Sequence, residues 1–270
     1  MNISSRMPAL FVGHGSPMNA IEDNAFTRGW RAVATRIPRP RAILCVSAHW
    51  ESRGVFVNTS AQPKTIHDFG GFPQALFDVQ YPAPGDPELA RRIARDLDDT
   101  PVHGTLEWGL DHGAWSVLNI MYPGADVPTL QLSIDTSRPG AFHYALGRKL
   151  SALRDDGVLI LGSGNIVHNL RLLDFRNPTP PAWAVRIDAA AREHIERGEH
   201  AALIDWPTLG AQTSLAVPTP EHYVPLLYVL GAQREDDRVQ LFNTELYGTL
   251  SMTSVIVGTQ AIEGESRRTV

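Results

Sequence analysis

Apolar residues gather in short runs along the chain: Ala9 to Val12, Ala42 to Val46, Gly54 to Val57, Val127 to Ile134, Val158 to Leu161 and Ser254 to Val257. Each run has strand length, and most are continuously apolar instead of alternating, as expected of strands buried on both faces. Between them, Pro87 to Leu97, Gly113 to Met121, Pro139 to Leu153, Ala182 to Arg197 and Pro220 to Leu230 carry helical spacing or helix-start signals, several with Pro near the first turn. This alternation predicts an α/β fold with a central, mostly parallel sheet flanked by helices. Arg238 to Tyr247 and Met252 to Val257 lie close enough to add a C-terminal antiparallel hairpin. Stretches rich in Gly, Pro and Asp at Thr59 to Pro73, Tyr81 to Asp86 and Asn177 to Pro181 read as loops, and none as a linker. Residues 1–270 are therefore expected to form a single domain, with 259–270 as a flexible tail.

Composition narrows the partners. A formal charge of -5, with Lys and Arg interleaved with acids as in Glu88 to Asp99, leaves no basic stripe for phosphates, so nucleic acid is not expected as a partner. Met1 to Pro8 lacks the charged start and apolar stretch of a secretory signal, and no run reaches membrane-spanning length. The reading is a cytoplasmic protein with no membrane partner. The single cysteine, Cys45, sits inside an apolar run and is expected to be a buried small hydrophobe. Any metal must then be held without a thiolate cluster.

The chemistry lies in where histidines fall. In open α/β sheets, ligands collect beyond the carboxyl ends of the strands. His14 follows the first strand within Gly13-His14-Gly15-Ser16-Pro17, and His49 follows the second within Ser47-Ala48-His49-Trp50. His168 lies just beyond Val158 to Leu161 and the Gly162-Ser163-Gly164-Asn165 turn. His222 is expected in the first turn of a helix starting near Pro220. Any one of these is explained as a capping or hydrogen-bonded histidine, but four at element ends suggest one metal site, because imidazole is a common ligand for zinc, copper, iron and nickel. His112, at a helix start beside Asp111, suits either a cap or a hydrogen bond to a substrate oxygen. His67 occupies a loop with Phe69, Gly70, Gly71 and Phe72, suited to a pocket wall or an ordinary surface loop. His103, His143, His194 and His200 read as solvated. Asp68-Phe69-Gly70 resembles a kinase tripeptide, yet no companion kinase motif is present.

Taken in order, Gly-His-Gly-Ser-Pro, Ser47 to Trp50, His67 to Pro73, Leu110 to Gly113, Gly162 to His168 and Pro220 to Tyr223 resemble the DOPA 4,5-dioxygenase group of class III extradiol dioxygenases, the LigB superfamily. The resemblance spans nearly the whole chain. It implies one catalytic α/β domain of LigB-like fold, with the metal in a pocket at one edge of the sheet. It implies one divalent metal per chain, zinc or iron(II), held by His14, His49 and His222. It places His168 either as a fourth ligand or as the acid/base, and His112 as a catalytic substrate contact. The usual non-haem iron site uses two histidines and a carboxylate, so Glu221 competes with His222 for the third position. The implied reaction inserts both atoms of O2 into a small aromatic diol, a DOPA-like catechol, and opens the ring. Trp50, Phe69, Phe72 and Tyr223 are possible pocket walls or core residues. Two rival readings use the same residues: a zinc-dependent hydrolase, and a non-catalytic Memo-like binding protein.

Overall fold

The computed structural model describes residues 6–97 and 100–258. The tail expected at 259–270 lies outside them. Among the described residues the strands are β1 (Ala9–Gly13), β2 (Ala42–Ser52), β3 (Val55–Asn58), β4 (Val102–Thr105), β5 (Thr129–Asp135), β6 (Val158–Gly164), β7 (Arg238–Phe242), β8 (Leu246–Tyr247), β9 (Leu250–Ser251) and β10 (Ser254–Gly258). The helices are α1 (Ala25–Arg36), α2 (Gln74–Phe77), α3 (Pro87–Asp96), α4 (His112–Met121), α5 (Gly140–Leu150), α6 (Ala182–Arg197), α7 (His200–Ile204), α8 (Thr213–Ala216) and α9 (Val224–Gly231).

One sheet runs β4-β3-β5-β2-β6-β1-β10-β7. Its centre, β5-β2-β6-β1, is wholly parallel, while β10 and β7 add antiparallel strands at one side. The expected C-terminal pairing is thus present, with the small β8-β9 ladder inserted between its two strands. Residues along the central strands divide between two cores. Ala42, Leu44, Val46 and Ile160 pack on the side that includes Leu146 of α5 and Leu227 of α9. Ile43, Cys45, Leu159 and Leu161 pack on the side that includes Trp30 of α1 and Trp115 of α4. Burial on both faces is why these strands read as unbroken apolar runs. It also drives the Cys45 thiol pKa well upward, leaving an inert hydrophobe.

Several elements differ from the sequence reading, the short helices α2, α7 and α8 among them. Helix α1 was not anticipated, although Asn24 and Thr27 form a reciprocal capping box and Phe26, Trp30 and Val33 repeat at helical spacing. Strand β4 is short and mostly polar, so its pairing with β3 left little pattern to detect. Helix α9 begins at Val224, because Pro220 to Tyr223 form a turn closed by Tyr223 N–H to Pro220 C=O. His222 therefore precedes the helix instead of occupying its first turn. His143 is also not solvated: it is buried on α5, with its Nδ1 3.0 Å from the Tyr228 hydroxyl of α9.

At the amino edge of the central strands, the fully buried Arg154 pairs with Asp237 and donates to the carbonyls of Met7 and Ala232. Such a pair is costly to break because the remaining charge would be stranded. At the carboxyl edge the constraint is steric. A Cβ on Gly164 would fall 2.1 Å from the His222 carbonyl oxygen, and one on Gly162 would fall 2.5 Å from that of Pro225. These glycines let β6 lie directly against the turn that carries His222. Gly164→Ala is accordingly expected to cost about 1–3 kcal/mol, read as a lower urea midpoint with an unchanged far-ultraviolet spectrum. Unaltered stability would show that the turn is free to shift.

Candidate metal centre

The parallel centre gives adjacent strands a common carboxyl edge, and the histidine cluster is built there. β1 leaves the sheet through Gly13, whose missing side chain admits the backbone of Met252 at 2.7 Å from the Cβ position. His14 follows, its N–H bonded to the Gly164 carbonyl at 3.0 Å. Gly15 turns the chain with φ of +61°. β2 runs further than its apolar core suggests, with a register shift against β5 between Val46 and Glu51. His49 thus lies within the strand, on its irregular final section. Asp111 caps α4 by accepting from Ala114 N–H, and it also takes bonds from Ser47 Oγ and the Gln131 amide. His112 thereby becomes the first residue of α4. Beyond β6, His168 is tied by its N–H to Ala216 C=O and bridges to Leu250.

The five imidazoles converge. The ring centres of His14, His49 and His222 form a nearly equilateral triangle with sides of 5.1, 5.3 and 5.0 Å. His112 lies 3.8 Å from His49 and 6.0 Å from His14. His168 stacks on His222 with ring centres 3.5 Å apart and planes 6° from parallel. Two sets of potential ligand atoms fall within 4.8 Å of one another: His14, His49 and His112 in one, and His168, Glu221 and His222 in the other.

Hydrogen bonds orient the rings. Ser163 Oγ donates to the Gly113 carbonyl at 2.6 Å, so it accepts from His14 Nδ1–H at 2.9 Å, leaving the His14 Nε2 lone pair free. That nitrogen points at His49 Nε2, 3.3 Å away. His222 Nδ1 is 3.0 Å from Glu221 Oε1, an acceptor that also receives the Thr219 hydroxyl. Asp68 Oδ1 accepts from the His112 backbone N–H at 2.9 Å, while Oδ2 is 2.9 Å from His112 Nδ1 and 3.6 Å from His49 Nδ1. Rings anchored at Nδ1 with Nε2 turned inward are the arrangement of metal-ligating histidines. Such rings separated by tetrahedral to octahedral angles, with bonds of about 2.1 Å and ring centres roughly 1.1 Å further out, sit about 4.5–5.2 Å apart. The donor set fits one divalent cation.

Protonation agrees with that fit. Burial, reinforced by the neighbouring imidazoles, drives the pKa of His14 and His222 well below the ordinary histidine value. Burial takes His49 down to about 3 and His168 to about 4. All four are therefore neutral ligands or bases at neutral pH.

Every histidine singled out as a site residue from sequence is in this cluster. His67 stands behind it, its Nε2 2.9 Å from Val79 C=O and its ring against Trp115 and Phe69. Phe69 reaches the His112 ring at 5.5 Å. Trp50 instead stacks on Trp108, and Tyr223 is core, its hydroxyl bonded to Leu203 C=O. Asp68, Ser163 and Gly113 were missed as partners. Asp68 had a signal, an acid between His67 and Phe69 in a glycine loop, whereas Ser163 and Gly113 meet only through the fold. A Cβ on Gly113 would fall 2.4 Å from Ser47 Oγ and 2.8 Å from the His49 ring.

The depressed pKa values fix the sign of an acid effect. The unfolded chain binds protons near pH 6.5 that the folded cluster binds only near pH 3–4. The associated stability is complete above pH 6.5 and is lost as pH falls toward 4, at about 1.4 kcal/mol per pH unit for each such imidazole. Urea denaturation of metal-free protein at pH 7, 6 and 5 should show this fall, and His49→Phe should flatten it. A flat profile in the parent protein would contradict the burial of neutral rings.

Comparison with known proteins places this centre in a family. Residues 5–259 match the family model of the catalytic LigB subunit of aromatic ring-opening dioxygenase. The chain is 50% identical over 262 residues to the 4,5-DOPA dioxygenase extradiol of Escherichia coli K12, covering 94% of this chain and 96% of that protein. It is 38% identical to the protein of the same name from Beta vulgaris, covering 90% and 96% respectively. A crystal structure of an uncharacterized Escherichia coli K12 protein superposes with a TM-score of 0.82 at 43% identity, covering 94% of this chain and all of that one. The chain belongs to the LigB family of metal-using aromatic ring-opening dioxygenases.

Proposed function

We propose that this chain is an extradiol dioxygenase for a DOPA-like catechol, with one divalent metal held by His14, His49 and His222, and that the chain works as one catalytic unit. The observation that carries the ligand set is the triangle of ring centres near 5 Å, with Nδ1 anchored to Ser163 for His14 and to Glu221 for His222. His112 fits less well as third ligand, since 3.8 Å to the His49 ring is below the spacing of two ligands on one ion. His168 fits less well as fourth, because its plane is parallel to that of His222 and in-plane lone pairs on stacked rings do not meet at one point. Glu221 faces the back of His222 and serves as its hydrogen-bond acceptor.

Iron(II) would hold the two diol oxygens and supply the redox activation of dioxygen, whereas zinc suits the same imidazoles without redox change. We assign iron(II) to turnover, and zinc to a possible resting occupant. His168, neutral at working pH, accepts a proton from the diol and returns it during ring opening. His112, fixed by Asp68, donates a hydrogen bond to a substrate oxygen or accepts one from it. The DOPA-like substrate class draws on the names of the Escherichia coli and Beta vulgaris relatives. No helix among the described residues is long and apolar enough to cross a membrane. A single buried cysteine suits a reducing compartment, and we place the protein in the cytoplasm, acting on small molecules and not on nucleic acid.

Protein reconstituted anaerobically with iron(II) should consume one O2 per catechol on an oxygen electrode and form a semialdehyde. No uptake with any catechol, together with ester or amide hydrolysis that persists without oxygen, would overturn the assignment in favour of a zinc hydrolase. Protein that folds but retains neither metal would favour a binding role. His168→Gln should keep the metal while kcat falls about 10²–10⁴-fold. Loss of the metal in that variant would make His168 a ligand.

A further inference from the structure

Beside the histidines lies a cleft of about 460 Å³, within the range of small-molecule pockets. Two of its wall residues touch the backbone of cluster histidines, and a third reaches a histidine through an intervening ring. Asn19 Nδ2 donates to the His14 carbonyl at 3.0 Å. Leu250 bridges to His168. Phe72 meets Phe69 at 5.4 Å, and Phe69 in turn meets His112 at 5.5 Å. The cleft therefore adjoins the centre, with Gly15 and Ser16, the residues directly after His14, in its lining.

Its lining is mainly apolar and aromatic, with Phe26, Phe72 and Met252 among the side chains, and no Lys or Arg contributes among the described residues. Among the described residues Glu22 supplies its one formal charge, on an exposed side chain with Asn24 Nδ2 3.5 Å from the carboxylate. An aromatic-walled cleft with an exposed carboxylate complements a short alkyl arm that ends in a cation. It meets a carboxylate-ended arm with a like charge instead.

We propose that this cleft receives the ring substituent of the catechol and that Glu22 is a specificity residue for substrates ending in an ammonium group. The inference rests on the ring-cleavage reading for its substrate class, and adds a preference for cationic over anionic side arms. A partly exposed ion pair is worth up to about fivefold in affinity, so the effect is a preference and not an absolute gate.

Three catechols with short arms test it: 4-(2-aminoethyl)catechol, 4-ethylcatechol and 3,4-dihydroxyphenylacetate. Two readouts are used: kcat/KM of iron-loaded protein by oxygen uptake, and Kd by calorimetry on zinc-loaded protein, where no redox step intervenes. In the parent protein the amine should exceed the ethyl compound by about threefold to fivefold in both readouts, with the carboxylate weakest. Glu22→Gln should bring the amine-to-ethyl ratio near one and relieve the carboxylate penalty. Equal ratios in parent and variant, or a carboxylate preferred to the amine, would overturn the inference even if all three are cleaved. The expected ranking in zinc-loaded Kd without any oxygen uptake would uphold the subsite and sink the ring-cleavage reading. Failure of every catechol to bind would overturn both.

Discussion

The centre depends on one constraint: imidazole rings must be buried in the neutral form, with the single proton of a ligand ring held by an acceptor behind so that a lone pair is left in front. Burial alone would neutralise the rings but leave their tautomers open. The Ser163 hydroxyl, committed to the Gly113 carbonyl, forces His14 to carry its proton on Nδ1. Glu221 does the same for His222. His49 Nε2 lies 3.3 Å from the His14 Nε2 lone pair, a hydrogen bond in which His49 donates when its proton is on Nε2. A divalent ion would take the His14 lone pair and, with the His49 proton moved to Nδ1 on the Asp68 side, that of His49 as well.

The sheet makes this convergence possible and the glycines make it close. β2, β6 and β1 are neighbours and parallel, so His14, His49 and the chain leading to His168 emerge at one edge. The fourth element arrives from the other direction, as the turn before α9, and it can touch β6 only because Gly162 and Gly164 carry no side chain. Gly113 does the equivalent for α4 against Ser47 and His49. Far from this edge, the Arg154–Asp237 pair ties the start of β1 to the loop before β7. Rigidity at one end and close backbone approach at the other hold five rings within a few ångströms.

Much of this was legible in the sequence. Continuous apolar runs identified the central strands because both sheet faces are covered, and the position of His14, His49 and His168 just after or late in those strands marked the edge where a site forms. The resemblance carried by the motif order supplied the roles that spacing could not. What was hidden has physical causes. The helix boundary after His222 depended on a turn that Pro220 starts but does not propagate. α1 was concealed by a mean composition too polar to stand out despite a clear cap. His143 looked solvated because its neighbours along the chain are mixed, while its actual partner, Tyr228, lies 85 residues away. Ser163 and Gly113 act through contacts between distant segments, which no local pattern records.

The central claim is the identity of the three ligands, and X-ray absorption at the iron edge of anaerobically loaded protein addresses it most directly. One ion per chain with three imidazole nitrogens at about 2.1 Å, reduced to two in His222→Ala, is the result the account predicts. A first shell with a protein carboxylate in place of the third imidazole, or one left unchanged by His222→Ala, would contradict it.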